Sequence, residues 1–261
     1  PDGRRRPIEP TIATIPLTEL VLMTSTSAAT RLPRPLTGIV PPLVTPLAGR
    51  DELDVAGLER LIEHVLAGGV SGLFILGTTG EGPALGYRLR AEMIQRTCEL
   101  VAGRVPVLVG ITDTAFVESL HLADIAAEAD ADAVVTATPY YLGHGQQALP
   151  DYVEGLTAAL ARPLFLYNMP ALTKVWYERS TLEALLPNPK IVGLKDSSGD
   201  MDYLRDAVVM VQARPDFTVL IGPEHRTAEA LAFGVHGGVC GVANVFPQFF
   251  VELGRAFERQ D

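Results

Sequence analysis

From Gly38 onward the chain alternates short runs rich in β-branched and aliphatic residues with longer stretches whose apolar residues recur every three or four positions. This alternation restricts the fold more than any other feature, because repeated strand–helix units build a parallel sheet covered by helices. Eight strand candidates can be counted, at residues 39–45, 72–76, 107–111, 133–138, 164–168, 191–195, 218–221 and 238–242. Each precedes a helical pattern. In residues 55–67, Leu58, Leu61, Ile62, Val65 and Leu66 form one stripe behind Asp54, a suitable N-cap. Eight such units predict an α/β fold, a (β/α)8 TIM barrel. The competing open, doubly wound sheet would carry a Gly-rich phosphate fingerprint in its first βα turn. That turn reads Thr45, Pro46, Leu47, Ala48, Gly49, Arg50 and has no GxGxxG pattern.

With 261 residues, 48% of them hydrophobic and 20% charged, the chain suits a single large core. The predicted organisation is a catalytic barrel over residues 37–261 behind an N-terminal extension, residues 1–36, rich in proline and arginine and expected to be poorly ordered. A transit sequence fits that extension less well, since it also contains Asp2, Glu9 and Glu19. Its longest apolar stretch, Leu17 to Met23, is interrupted by Thr18 and Glu19 and falls far short of the roughly 20 residues that span a bilayer. A formal net charge of −10 opposes attraction to nucleic acid or anionic lipid, so neither is an expected partner. Cys98 and Cys240 are far apart and form no ligand spacing, which suits a reducing, cytoplasmic setting.

In a barrel the active site lies at the C-terminal ends of the strands, so polar residues there deserve scrutiny. After the second strand comes Gly77, Thr78, Thr79, Gly80, Glu81, whose glycines permit a sharp turn and whose amides and hydroxyls can converge on a carboxylate; an ordinary Gly-rich loop reads the same way. Lys195 ends the sixth strand. A charged lysine is costly to bury there, which favours the neutral amine that attacks a ketone; the plainer alternative is an ion pair with Asp196. Tyr167 and Asn168 end the fifth strand, where a phenol can move a proton beside a ketone or simply pack. Tyr140 and Tyr141 follow the fourth, suited to a proton relay or to an interface.

Taken in order, GTTGE at 77–81, TPYY at 138–141, LYNMP at 166–170, GLKDSSGD at 193–200 and IGPE at 221–224 resemble the dihydrodipicolinate synthase and N-acetylneuraminate lyase family of class I pyruvate-dependent aldolases, over about Leu36 to Phe257. The resemblance implies a Schiff-base-forming lyase acting on pyruvate or a related 2-keto acid. It assigns Lys195 as the imine-forming lysine and Tyr167 as the proton-transfer residue. Thr78 and Tyr141 would complete a hydroxyl relay, Tyr141 reaching across a subunit interface, while Thr78 and Thr79, on the turn opened by Gly77, hold the keto-acid carboxylate. Gly241, on the eighth strand, would leave room beside the imine. A homodimer or homotetramer is implied, as is a C-terminal helical segment beyond the eighth barrel helix that this sequence has short or missing. No cofactor or metal is implied, since the covalent imine is itself the electron sink.

Members that condense pyruvate with aspartate semialdehyde usually carry an arginine where this chain has Leu172. Losing such a charge-assisted contact costs about 1.5–3 kcal/mol. The segment Pro170 to Thr173 and the run from Ser197 to Asp200 look more like the sialic acid lyase branch and its 2-keto-3-deoxy sugar acid relatives. Glu224 and His225 stand where that branch reads substrate hydroxyls, although its usual Asp-Glu pair is here Glu-His and Lys174 replaces a common glycine. The expectation is therefore an aldolase or dehydratase of that branch, with dihydrodipicolinate synthase as the alternative. A non-catalytic keto-acid-binding barrel is the alternative of another class, which the presence of both Lys195 and Tyr167 disfavours.

Overall fold

The computed structural model describes residues 32–259. Eight short parallel strands, β1 (Gly38–Ile39), β2 (Leu73–Ile75), β3 (Val107–Gly110), β4 (Ala133–Ala137), β5 (Leu164–Asn168), β6 (Ile191–Asp196), β7 (Thr218–Ile221) and β8 (Gly237–Gly238), pair in the order β1-β8-β7-β6-β5-β4-β3-β2. A parallel bridge between Pro42 and Phe74 joins the two ends, so the sheet closes into the expected (β/α)8 barrel. Among the described residues eight helices surround it, α1 (Val55–Ala67), α2 (Tyr87–Val101), α3 (Phe116–Glu128), α4 (Leu149–Ala159), α5 (Arg179–Leu185), α6 (Met201–Met210), α7 (Thr227–Ala232) and α8 (Pro247–Arg259), besides a single helical turn at Pro170–Thr173. Among the described residues no helix is long and apolar enough to cross a membrane.

The first helix forms as its sequence predicts. Asp54 accepts from the Gly57 amide at 2.8 Å, and Leu58, Ile62 and Val65 are buried while Leu61 and Leu66 are half-buried beside them. Three expectations need correction. The first strand is only Gly38–Ile39, because Pro41 and Pro42 have no amide hydrogens with which to extend a ladder. The eighth is only Gly237–Gly238, and Gly241 to Asn244 wind into a 3₁₀ turn, so Gly241 lies beyond the strand. Thirdly, the barrel unit begins before residue 37: Leu32 and Leu36 are buried in the barrel interior, and the Leu36 amide donates to Thr218 Oγ1 at 2.8 Å. Burying such a leucine contributes about 1.5–3 kcal/mol. The expectation for residues 1–31 lies outside the described residues.

Side chains divide between two apolar layers. Val40, Phe74, Leu108, Val135, Phe165 and Leu220 fill the barrel, whereas Ile75, Val109, Leu166, Leu194 and Val219 face the helices. One irregularity governs the site. Leu164 pairs with Ile191 but Phe165 pairs with Gly193, which leaves Val192 as an extra residue in β6. Val192 belongs to the inner layer, and a Cβ on Gly193 would lie 2.3 Å from Phe165 Cε1, so both residues face inward. Such a bulge reverses the alternation that follows it. Lys195 consequently points into the barrel, level with Tyr167 and Leu220, and Asp196 points out.

Candidate active site

Lys195 is 6% exposed and Tyr167 likewise 6%. The lysine Nζ stands 3.9 Å from the centre of the Tyr167 ring and 4.9 Å from that of Phe74, and these two rings meet edge to face at 6.3 Å. Phe74 went unnoticed in the sequence because every residue of β2 is apolar, leaving no sign of which ones face inward. Thr78 Oγ1 lies 3.3 Å from the Tyr167 hydroxyl. Burial pushes the Tyr167 phenol up, yet the Lys195 charge and hydrogen bonds to Thr78, Ser197 and Lys195 together bring it below the usual tyrosine range. A phenol lowered in this way, beside an amine, is suited to exchange a proton with a group bound there.

Asp196 does not serve Lys195. Its Oδ1 accepts from Asn168 Nδ2 at 2.7 Å and its Oδ2 from Ser198 Oγ at 2.8 Å, on the helix-facing side of the strands. Burial raises its carboxyl to about 6 against the lowering effect of those hydrogen bonds. The pairing links the ends of β5 and β6, the strands that carry Tyr167 and Lys195.

The turn after β2 is held from several directions. Thr45 Oγ1 donates to the Gly80 carbonyl at 2.7 Å, and the Gly82 amide donates to the Gly77 carbonyl at 3.2 Å. The buried Arg90 donates to the carbonyls of Leu85 and Pro83 and to Asp113 Oδ2 at 2.7 Å. Gly77 has a steric reason to be glycine, since a Cβ there would lie 2.6 Å from Phe74 Cε1.

Two lobes meet over Tyr167, Thr78 and Met169. One, a cleft of ≈ 750 Å³, gathers Lys195, Thr79, Ser197, Glu224, His225 and Gly241. The other, of ≈ 680 Å³, is lined by Leu76, Gly77, Pro83, Ala137, Tyr140 and Leu172, among others. The structure thus brings together nine of the ten anticipated site residues, Gly77, Thr78, Thr79, Tyr167, Leu172, Lys195, Ser197, Glu224 and Gly241, along one continuous site. One role changes in detail. Glu224 Oε2 accepts from the Val242 amide at 2.8 Å, so one of its oxygens is occupied by the chain itself. At Gly241 an added Cβ would sit 3.7 Å from Thr79 Oγ1 and 3.8 Å from Glu224 Oε2, two residues that line the Lys195 lobe. Tyr141 stands apart. It is 90% exposed, with a backbone φ of 69°, and within one chain it takes no place in the site, whereas its neighbour Tyr140 lines the second lobe.

Residues 35–260 match the model of the Dihydrodipicolinate synthetase family. The chain is 36% identical over 218 residues to the 4-hydroxy-tetrahydrodipicolinate synthase of Salinibacter ruber, covering 83% of this chain and 71% of that protein. The structure of dihydrodipicolinate synthase from Bacteroides thetaiotaomicron superposes with a TM-score of 0.84 at 52% identity, covering 87% of this chain and 76% of that one. Escherichia coli YagE, solved in complex with pyruvate and provisionally named a 2-dehydro-3-deoxy-D-gluconate aldolase, superposes with a TM-score of 0.83 at 33% identity, covering 86% of this chain and 76% of its own. Barrel, strand-end lysine and matching sequence agree: the chain belongs to the dihydrodipicolinate synthetase family.

Proposed function

We propose that this lyase acts on pyruvate by forming an imine between the keto carbon and Lys195, and then makes or breaks the carbon–carbon bond at pyruvate C3. The observation that carries the reading is the buried Lys195 amine at the C-terminal rim of the barrel, 3.9 Å from the ring of a phenol that Thr78 in turn contacts. Lys195 is the nucleophile, and loss of water from the carbinolamine leaves the imine as electron sink. Tyr167 delivers and removes the protons this requires, with Thr78 relaying them. The hydroxyls and amides of Thr78 and Thr79 orient the carboxylate, and Ser197 faces the same lobe. No cofactor is needed for this sequence of steps. A homodimer or homotetramer that packed the exposed Tyr141 against a second copy would extend the hydroxyl relay across the interface.

For the partner aldehyde, the names carried by relatives support the alternative drawn from the sequence, condensation with aspartate semialdehyde by a 4-hydroxy-tetrahydrodipicolinate synthase, more than the sialic acid and sugar acid branch. The aldolase reading keeps the support of YagE and of Glu224 beside the Lys195 lobe. The decisive test for either is intact mass after incubation with pyruvate and borohydride, beside Lys195→Ala. A reduced pyruvate adduct absent from the variant is expected; an unmodified native protein would overturn the imine mechanism.

A further inference from the structure

Thr78 and Thr79 sit on a turn whose backbone is strained. Leu76, buried at the end of β2, has φ 56°, and Glu81 has φ 54°. Residues with a Cβ disfavour this left-handed region, and it persists only where the surroundings enforce it. Part of the enforcement is steric, since the Leu76 carbonyl oxygen lies where a Cβ on Gly82 or on Gly110 would overlap it. The rest is polar. Arg90 is buried and donates from Nε to the Leu85 carbonyl at 2.9 Å, from one terminal nitrogen to the Pro83 carbonyl at 3.1 Å and from the other to Asp113 Oδ2 at 2.7 Å. Asp113, buried as well, also accepts from the Ala115 amide at 3.0 Å and from the Tyr87 hydroxyl at 3.3 Å. Its neighbour Thr112 accepts through Oγ1 from the Ala137 amide at 2.9 Å. One ion pair thereby ties the segment after β2 to the segment after β3, which Thr112 ties in turn to the end of β4.

We infer that Arg90 and Asp113 are positioning residues for keto-acid binding: by holding this turn they fix where Thr78 and Thr79 meet the substrate carboxylate. The inference rests on the imine reading above and concerns the carboxylate end of the substrate. Neither residue lines the Lys195 lobe or the lobe beside it, so each acts through the turn and not by contact. A guanidinium suits the task, because its planar fork serves three acceptors in different directions, whereas an ammonium is a compact point charge. Stability alone does not explain a buried pair of this kind, since apolar residues of similar volume often fill such a space as well. What the pair adds is geometry. Without it Leu76 and Glu81 are free to relax towards the right-handed region, and Thr78 and Thr79, which lie between them in the chain, move with the backbone. Lys195 and Tyr167 stand on other strands and keep their places.

The experiment compares the full chain with two variants. Arg90→Met/Asp113→Leu removes both charges together, so no buried charge is left unpaired, and Arg90→Lys keeps the charge but not the fork. Borohydride trapping is followed by intact mass at rising pyruvate concentration, with acetone as a ketone that lacks the carboxylate and urea unfolding as the check on the fold. In the double variant the half-saturating pyruvate concentration is expected to rise about 10- to 100-fold, which is about 1.4–2.8 kcal/mol. A smaller rise is expected for Arg90→Lys. The rates at saturating pyruvate and with acetone should stay within about threefold of the native values, because the lysine and the phenol are untouched. If the double variant does not fold, Arg90→Lys must show the rise by itself. An unchanged half-saturating concentration in a folded variant, or rates at saturating pyruvate and with acetone that fall by as large a factor, would reduce the pair to a structural role and overturn the inference alone. Failure to trap pyruvate on the native protein would remove the imine reading and this inference with it.

Discussion

Gly193 offers the sharpest test of how the barrel aims its lysine. A methyl added there would stand 2.3 Å from Phe165 Cε1, 2.4 Å from Phe165 Cδ1 and 3.0 Å from the Thr218 carbonyl oxygen. Carbon atoms at rest are about 3.5–4.0 Å apart, so the ring must retreat by about 1.2–1.7 Å. Phe165 is 1% exposed and packed inside a closed barrel, and the Thr218 oxygen belongs to the neighbouring strand's backbone. Overpacking costs about 1–3 kcal/mol, and a clash flanked by backbone belongs in the upper half of that range. For a domain of this size about 2–3 kcal/mol lowers Tm by about 4–12 °C. The strain also reaches the chemistry, because Phe165 and Tyr167 are successive inward residues of β5. A displacement near 1 Å at the phenol or amine reduces imine formation by about 10- to 100-fold. Calorimetry and the rate of borohydride trapping would be compared for Gly193→Ala, Phe165→Ala and the double variant. The double variant should be less destabilised than the sum, since the new methyl enters the space the ring vacated. Gly193→Ala within about 0.5 kcal/mol of the native protein and trapped at the native rate would refute the argument.

Thr78→Val should still trap pyruvate but lower turnover with an aldehyde by about 100-fold, through loss of the hydroxyl 3.3 Å from Tyr167. Because that hydrogen bond helps lower the Tyr167 phenol, its titration in a kcat–pH profile should move upward, and an unchanged profile would count against the relay. Asp196 titrates at about 6 in the folded chain against 3.8 otherwise, so the folded state holds the extra proton between those values and loses stability as pH rises through them. Urea unfolding of Asp196→Asn should therefore show a gain over the native protein at pH 7.5 that closes by pH 4; a gap independent of pH would exclude that origin. His236 works in the opposite sense. Its Nδ1 accepts from the Val219 amide at 2.9 Å, and burial lowers its pKa from 6.5, so its contribution is complete above 6.5 and lost as pH falls through the lowered value. His236→Asn, which retains an acceptor, should lack that loss, and equal acid sensitivity in the two proteins would assign it elsewhere.

Strands β2 to β7 were legible to within a residue because their apolar runs are bounded by Pro, Gly or Asp. The ends of the barrel were not. Pro41 and Pro42 sit inside an apolar run that reads as strand but cannot extend a ladder, and Val242 lies within, and Val245 just after, a turn whose backbone is helical. Leu32 and Leu36 were hidden by a proline- and arginine-rich neighbourhood, although they close the barrel interior. Inward and outward facing were the least legible of all. A strand buried on both faces shows no alternation of polarity, so nothing in Ile191 to Leu194 announces the bulge that turns Lys195 inward. Tyr141 and Tyr140 illustrate the same limit, since adjacent identical residues give no sign of which one the chain directs into its own site.

The bulge and the Asn168–Asp196 hydrogen bond act on the same pair of strand ends from opposite faces. Inside, Tyr167 and Lys195 are ladder partners and share one layer with Leu220; outside, their immediate successors are joined at 2.7 Å. Neither strand end can slip without breaking that bond or moving the bulge, so amine and phenol keep their separation before any substrate arrives. Such preorganisation is what the proposed imine chemistry would require, because the same phenol would serve carbinolamine dehydration and the later carbon–carbon step without re-forming the site. It carries a cost in stability, because Asp196 is buried with its carboxyl raised to about 6 and is ionised at neutral pH. A buried carboxylate that avoids the reactive lysine and braces the strands behind it therefore belongs with the positioning of the site, which an ion pair with Lys195 would have neutralised.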